Sequence, residues 1–251
     1  MMDRTIIRVA GEDPVGFLQG LVSNDARHLT SGGIVYAALL TPQGKYLADF
    51  FLVKDGVDVL VDVAAPLADD LFKRLSMYKL RAPITLVRED MAVSRGTGPA
   101  PDGALADPRH PALGWRVYGA DLPEDGTDWD ALRVAHCVPE AGIELVPNDS
   151  FILECGFERL NGVDFRKGCY VGQEVTARMH HKTELRKGLT TVRIEGHAEV
   201  GTEIAADGKA VGRLFTQSGG EAIAYLRFNR AEGALQAGDA TIFMPETTRL
   251  D

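Results

Sequence analysis

Two hydrophobic rhythms alternate along the chain. Thr5–Val9, Ile34–Leu40, Tyr46–Val53 and Val57–Val63 are strand-like runs, in which successive side chains point to opposite faces. Asp58 and Asp62 share one face of the last of these. Asp13-Pro14 supplies an N-cap and a first-turn proline, so Pro14–Val22 is predicted as a short helix. Ser23-Asn24-Asp25 stops it and can cap the next turn. Thr41-Pro42-Gln43-Gly44-Lys45 has proline second and glycine fourth, which suits a type I turn and a hairpin. Leu67, Leu71, Leu75 and Met77-Tyr78 recur at helical spacing through Pro66–Leu80, and Ile84–Val87 returns to strand. This order predicts an α+β unit with a mostly antiparallel sheet.

Gly96–Gly114 holds four prolines and four glycines, which predicts a long loop or a crossing between domains. Trp129–Val138 reads as a helix. From Leu185 onward, short runs (Leu189–Ile194, Ala210–Phe215, Ala222–Phe228, Ala240–Phe243) are punctuated by glycines, the pattern of a small antiparallel barrel. The domains expected are 1–183 and 184–251. The first admits two interleaved subdomains, 1–45 with 96–183, and 46–95.

Hydrophobic residues at 45% and charged residues at 25% exclude disorder and collagen-like fibre. No apolar run approaches the ~18 residues of a membrane-spanning helix. The N-terminal stretch has no apolar core, and Asp3, Glu12 and Asp13 argue against an acid-poor transit peptide. Cys137, Cys155 and Cys169 form no Cys-x-x-Cys pair, so reduced thiols in a cytoplasmic protein are expected. The net charge of −9 argues against a basic nucleic-acid coat. Two islands, Arg159–Arg193 and Leu71–Arg88, are each +5, and the remainder is −19. They suggest a local anion site, or else two solvated faces whose counter-charges lie nearby in space.

No glycine-rich dinucleotide loop, P-loop, His-Glu-x-x-His helix or Gly-x-Ser-x-Gly elbow occurs, so the common nucleotide, zinc-protease and hydrolase chemistries lack their usual signatures. The unusual stretch is Asn161–Lys187. Asn161-Gly162 and Lys167-Gly168 break the chain, and Val171–Met179 reads as a short helix. Cys169 is then expected near its N-terminus, beside Arg166 and Lys167. A helix N-terminus and adjacent cations favour thiolate over thiol. Cys169 is therefore a candidate nucleophile or iron ligand; the plainer alternative is a small buried hydrophobe. One cysteine cannot hold a cluster unaided, so other ligands would come from a partner, from glutathione, or from His180 or His181. Glu174 and Arg178 are four apart and share a helical face. They read as a surface ion pair, or as a carboxylate held to accept hydrogen bonds from a ligand ring.

Lys167-Gly168-Cys169-Tyr170-Val171-Gly172-Gln173-Glu174, followed by Ala177-Arg178 and His180-His181, closely resembles the signature of the YgfZ family. These are folate-binding proteins of iron–sulfur cluster assembly and repair. The double histidine and the later Arg186-Lys187 are most similar to the mitochondrial cluster-assembly factors of that family. Phe17-x-Gln19-Gly20-x-x-Ser23-Asn24-Asp25, Pro42-x-Gly44-Lys45-x-x-x-Asp49 and Met77-Tyr78-Lys79-Leu80-Arg81 resemble three further family motifs. The family shares its fold with the T-protein, the aminomethyltransferase of glycine cleavage. One departure is Lys182-Thr183-Glu184, where the family usually has a glycine shortly after the histidine pair.

The resemblance implies an α+β, aminomethyltransferase (T-protein)-like folate-binding fold with a C-terminal antiparallel β-barrel, and a central channel for tetrahydrofolate. Cys169 would contact an iron–sulfur cluster, a cluster carrier or a one-carbon adduct. Lys167, Tyr170, Gln173, Glu174, Arg178, Arg81 and Asn24 would line the folate site. Arg81 is suited to a carboxylate of the glutamate tail, and Glu174 or Asp49 to the pterin N–H groups. The partners implied are iron–sulfur carrier proteins and client enzymes, with a transient cluster and with neither membrane nor nucleic acid. The leading expectation is an accessory factor rather than a turnover enzyme. The alternative is a folate-dependent aminomethyl- or methyltransferase with Asp49 as a catalytic residue positioning the amine, because T-proteins carry an acidic residue there; they lack the Lys-Gly-Cys-Tyr motif. RNA contact through the basic islands is a third reading, and the net charge weighs against it.

Overall fold

The computed structural model describes residues 3–181 and 185–244. Two compact units share the chain by turns. Met1–Thr127, Pro147–Ile152 and Phe157–Arg178 form the first; Asp128–Val146, Leu153–Gly156 and Met179–Asp251 form the second.

The first unit is organised by an antiparallel sheet of β1 (Arg4–Gly11), β2 (Ile34–Leu40), β3 (Tyr46–Asp55), β4 (Asp58–Ala64) and β5 (Ile84–Glu89), in the spatial order β2-β3-β4-β1-β5. The turn between β2 and β3 closes as predicted, with the Gly44 N–H donating to the Thr41 carbonyl at 2.8 Å. Helix α1 (Pro14–Gln19) begins where the Asp13 carboxylate accepts from the Gly16 N–H at 2.8 Å. It ends at Gln19 rather than continuing to Val22, because Val22 pairs with Leu39 in an isolated bridge. Helices α2 (Leu29–Gly32) and α3 (Ala65–Lys79) complete one layer.

β2 is buried throughout and β3 over all but its last two residues, so the sheet is covered on both faces. One face is apolar: Val35, Ala37, Leu39, Phe50, Leu52 and Val61 pack with Leu18 of α1, Leu29 of α2 and Leu71 and Leu75 of α3. The opposite face is polar and equally enclosed. Tyr36 lies across from Phe51, and Phe51 across from Asp62. Asp62 has no exposed surface. Arg4 Nε and Arg116 Nη2 donate to its two oxygens, each at 2.6 Å, and the Tyr118 hydroxyl donates at 2.9 Å. Arg116 also lies over the Phe51 ring at 4.1 Å, a contact of the cation–π kind.

The segment predicted as a loop or crossing is mostly loop, and it carries the two-residue β7 (Leu105–Ala106) of a second small sheet whose other strands, β6 (Val93–Gly96) and β8 (Trp115–Tyr118), flank it, in the order β6-β8-β7. Strands of two to four residues among prolines and glycines are too short to display alternation.

In the second unit α4 (Trp129–Ala135) is capped by Asp128, whose carboxylate accepts from the Ala131 N–H at 2.9 Å. Six strands close a barrel: β9 (Lys187–Glu195), β10 (Glu203–Ala206), β11 (Lys209–Ser218), β12 (Glu221–Arg227), β13 (Leu235–Ala237) and β14 (Ala240–Phe243). Pairing of Ala205 with Gln236 and Ala206 with Leu235 joins the ends and leaves no free edge. Val192, Ile204, Leu214, Leu226 and Ile242 belong to its core.

Back in the first unit, the β2–β3 turn packs on the segment that enters α5 (Gln173–His180). A Cβ on Gly172, at φ +85°, would lie 2.6 Å from the Thr41 carbonyl oxygen; a Cβ on Gly44, at φ +74°, would lie 2.8 Å from the Val175 Cβ. Both positions need glycine for conformation and for space.

Two predictions follow from these contacts. Burial alone would raise the Asp62 pKa, but Arg4 and Arg116 win and hold it at about 2. A carboxylate depressed on folding contributes stability above its unfolded pKa and loses it as pH falls through the folded value. Asp62→Asn should therefore flatten the loss of thermal stability between pH 4 and pH 2 relative to wild type. At pH 7 it should cost about 3–5 kcal/mol in denaturant unfolding, because the buried Arg116 and the half-buried Arg4 lose their counter-ion. Gly172→Ala should cost at least about 1–3 kcal/mol from left-handed backbone strain alone, while the same change at Gly56, in a turn with open space around it, should lack the added clash.

Candidate functional site

Cys169 is the exposed cysteine of the three; Cys155 is buried and Cys137 intermediate. It lies in coil, between Gly168 at φ +100° and the buried Tyr170. The expected placement of Cys169 at a helix N-terminus is not what the structure has. A turn in which the Gln173 N–H donates to the Tyr170 carbonyl at 3.2 Å, together with left-handed Gly172, delays α5 until Gln173. Cys169 thus precedes the helical turn in which the dipole acts.

Lys167 points inward. Its ammonium donates to the carbonyls of Gln19 at 2.5 Å and Val22 at 2.6 Å and lies 4.8 Å from the centre of the Tyr170 ring. Burial pulls its pKa down to about 8, against the opposing charges of Asp25 and Asp164. The Tyr170 hydroxyl is buried without a well-formed hydrogen bond. Burial pushes this phenol up, and nearby Thr176 pulls the other way.

Asp49 lies on the polar face of β3 and is 7% exposed. The hydroxyls of Tyr36 and Tyr46 donate to its two oxygens at 3.0 and 2.6 Å. Burial, then the Asp49 charge, push both phenols well above their ordinary value, so both stay donors. Phe157 stacks on Tyr36 at 5.1 Å, and a Cβ on Gly162 would meet both rings. Asn24 is engaged by the fold: its amide donates to the carbonyls of Tyr36 at 2.9 Å and Asn161 at 2.6 Å, and its oxygen accepts from the Asp25 N–H at 2.8 Å.

The remaining expected residues are less gathered. Glu174 and Arg178 are exposed on α5 and form no ion pair with each other among the described residues; Gln173 opens the helix, half-buried. Arg81 is exposed in the turn that leads into β5, at the sheet edge opposite β2. The island around it is partly neutralised, by Arg74 with Asp70 and Arg88 with Asp69, each at 2.6 Å. The rings of His180 and His181 lie 5.8 Å apart. Lys182-Thr183-Glu184 fall outside the described residues.

Among the described residues, no cluster of three potential metal ligands includes Cys169. Asp25, His28 and Asp164 do bring ligand atoms within 4.8 Å of one another. Asp25, however, is already bound by Arg27 at 2.6 Å, and the Asp164 carboxylate accepts from the Arg166 N–H at 2.6 Å.

Sequence reasoning missed Tyr36 and Tyr46, whose strand positions read as ordinary core, and Arg109. Its guanidinium is paired with Asp107 at 2.8 Å and lies 5.5 Å from the Tyr36 ring centre and 4.9 Å from that of Phe51. It came from the proline- and glycine-rich stretch, where no periodicity marks an inward side chain.

Comparison with known proteins gives these residues a context. Residues 186–248 match the family model described as the CAF17 C-terminal beta-barrel domain. The chain is 33% identical to the mitochondrial iron–sulfur cluster assembly factor IBA57 homologue of Mycosarcoma maydis, over 74% of this chain and 54% of that one. It is 30% identical to the mitochondrial IBA57 of Homo sapiens, over 92% of this chain and 78% of that one. The chain thus spans about half the length of the fungal relative and about three quarters of the human one. Among solved structures, the glycine cleavage system aminomethyltransferase T of Bartonella henselae superposes with a TM-score of 0.76, over 97% of this chain and 83% of that one, at 14% identity. That likeness establishes the T-protein-like fold, as expected. The expectation of a cytoplasmic protein is overturned, because the matched relatives are named as mitochondrial. Reduced thiols mark a reducing compartment without saying which. With the human relative matched at this identity and coverage, the chain belongs to the IBA57 family of iron–sulfur cluster assembly factors.

Proposed function

We propose that the chain works in iron–sulfur cluster assembly as a YgfZ-type, tetrahydrofolate-binding accessory factor, with Cys169 as its reacting group. The observation that carries this reading is the placement of Cys169: an exposed thiol on a loop held between the buried Tyr170 next to it and the buried Lys167 two residues before it. As thiolate, such a sulfur is a soft ligand for the iron of a cluster, which is here the substrate. The other ligands would come from a carrier or client protein. The names of the relatives, mitochondrial iron–sulfur cluster assembly factors, support this reading.

Two features support a reduced folate as ligand. The hydroxyl of Tyr170, the residue after Cys169, is buried without a well-formed hydrogen bond, and Glu174 and Arg178 stand exposed on α5. A carboxylate accepts the pterin N–H groups, and a guanidinium binds the carboxylates of the glutamate tail. Lys167, Asn24 and Asp49 have their polar atoms engaged inside the fold, so their part is to hold the walls in shape.

Asp49 also supports a second reading, a folate-dependent aminomethyltransferase in which Asp49 orients the amine. Each Asp49 oxygen accepts one tyrosyl hydrogen bond and keeps a lone pair that an incoming amine could use. Membership of the cluster-assembly family is what weighs toward the accessory role.

Cys169→Ala should leave the melting temperature within a few degrees of wild type, as expected for an exposed site, and should abolish rescue of client-enzyme cluster maturation in cells lacking the factor. Full rescue would sink the assignment of Cys169. In a titration of the purified protein with tetrahydrofolate, Glu174→Gln should weaken binding about tenfold, or ~1.4 kcal/mol. Unchanged affinity would remove Glu174 from the site. Measured one-carbon transfer to tetrahydrofolate that is lost in Asp49→Asn but kept in Cys169→Ala would favour the transferase reading instead.

A further inference from the structure

Gln19 has no assigned role, yet it joins two segments 148 positions apart. Its side-chain amide donates to the Lys167 carbonyl at 3.2 Å, and its own carbonyl accepts from the Lys167 ammonium at 2.5 Å. Each residue therefore donates to the backbone of the other. The Gln19 side-chain oxygen accepts from the Ala26 N–H at 2.8 Å, which ties the same glutamine to the turn after α1. Beside this clasp, the Ser23 hydroxyl donates to the Gly162 carbonyl at 2.6 Å, and the Asp164 N–H donates to the Ser23 carbonyl at 3.1 Å.

We propose that Gln19 is a positioning residue for Cys169, acting through Lys167. The reasoning starts at Gly168. A glycine at φ +100° between Lys167 and Cys169 is a swivel with little torsional resistance of its own. The direction of the thiol is then set by whatever anchors the two sides. On the far side the anchor is the buried Tyr170. On the near side it is Lys167, whose ammonium donates to two carbonyls and lies 4.8 Å from the centre of the Tyr170 ring. A buried ammonium cannot give up such partners cheaply. Gln19 supplies one of those carbonyls and also grips the Lys167 backbone, so it restrains the main chain two residues before Cys169.

The functional meaning of this clasp rests on the role of Cys169 proposed above, but its test does not. Gln19→Glu keeps an oxygen for the Ala26 N–H and sets a second oxygen against the Lys167 carbonyl; Gln19→Leu removes both side-chain bonds. The measurement is the iodoacetamide alkylation rate of Cys169 in the full chain, read peptide by peptide, with Cys137 as internal reference and the urea-unfolded chain as baseline. In wild type the Cys169 rate should differ from baseline by about threefold or more. Both variants should bring it to within about twofold of baseline with Cys137 unchanged. A general loss of structure would move both cysteines together, and that outcome overturns the proposal. So does a Cys169 rate unchanged by either substitution, or a wild-type rate already at baseline. If Cys169→Ala supports full client maturation, the assembly role of the thiol fails, while the alkylation comparison still decides the clasp.

Discussion

A charged group inside a protein must be met by partners, and in the first unit that requirement selects which segments cover the second face of the sheet. Asp62 on β4 has no access to water. Arg116 and Tyr118, both on β8, answer it, and Arg4 answers it from β1. A hydrophobic surface would accept any apolar cover of suitable shape. A carboxylate accepts one that brings donors to fixed points. The charges therefore give the proline- and glycine-rich stretch a definite seat that its own weak periodicity could not supply. Phe51, with guanidiniums of Arg4, Arg109 and Arg116 within 6 Å of its ring centre, fills the space between them.

The same logic recurs at the return of the chain near Lys167. Here the buried charge is a cation, and the acceptors are backbone carbonyls at the end of α1. A short helix leaves its last carbonyls unsatisfied, and a lysine from 148 positions away satisfies one. The need of the helix end and the need of the ammonium cancel each other. Glycines complete the joint, since Gly44 and Gly172 let the β2–β3 turn and the entry to α5 approach more closely than side chains allow. The Cys169 loop is thus bounded by a charge-satisfying contact on one side and a close-packed one on the other.

How much of this was legible in the sequence depended on the range of the forces involved. β2 was readable residue for residue, because an unbroken apolar run flanked by turn signals is a local pattern. The barrel was readable from four of its strands; β10 (Glu-Ile-Ala-Ala) and β13 (Leu-Gln-Ala) carry one large apolar residue each, too little to mark a strand. The faces were the harder matter. Asp58 and Asp62 alternate with apolar residues, which usually means one wet face, yet Asp62 is fully enclosed. Its partners at positions 4, 116 and 118 lie far away in sequence, and no local rule connects them. Cys169 was identifiable by type and neighbours. The start of its helix was not, because Gly172 takes its conformation from contact with Thr41 and not from the residues beside it.

The fold itself does not decide between assembly factor and transferase, since a likeness at 14% identity carries architecture alone. The two candidate groups differ in how each is satisfied. Asp49 holds two hydrogen bonds from phenols that burial keeps protonated. That arrangement stabilises and orients the carboxylate, and each oxygen keeps a lone pair beyond the one its phenol takes. Cys169 stands the other way round: its flanking residues are fixed by buried contacts, while the residue itself faces solvent. A group whose task is to meet a second macromolecule must be rigidly presented and externally accessible. A group whose task is to turn over a small molecule should be enclosed with bonding capacity to spare. Cys169 has the accessibility that the first task needs and Asp49 the enclosure that the second needs, so it is the family shown by the human relative that carries the assembly reading.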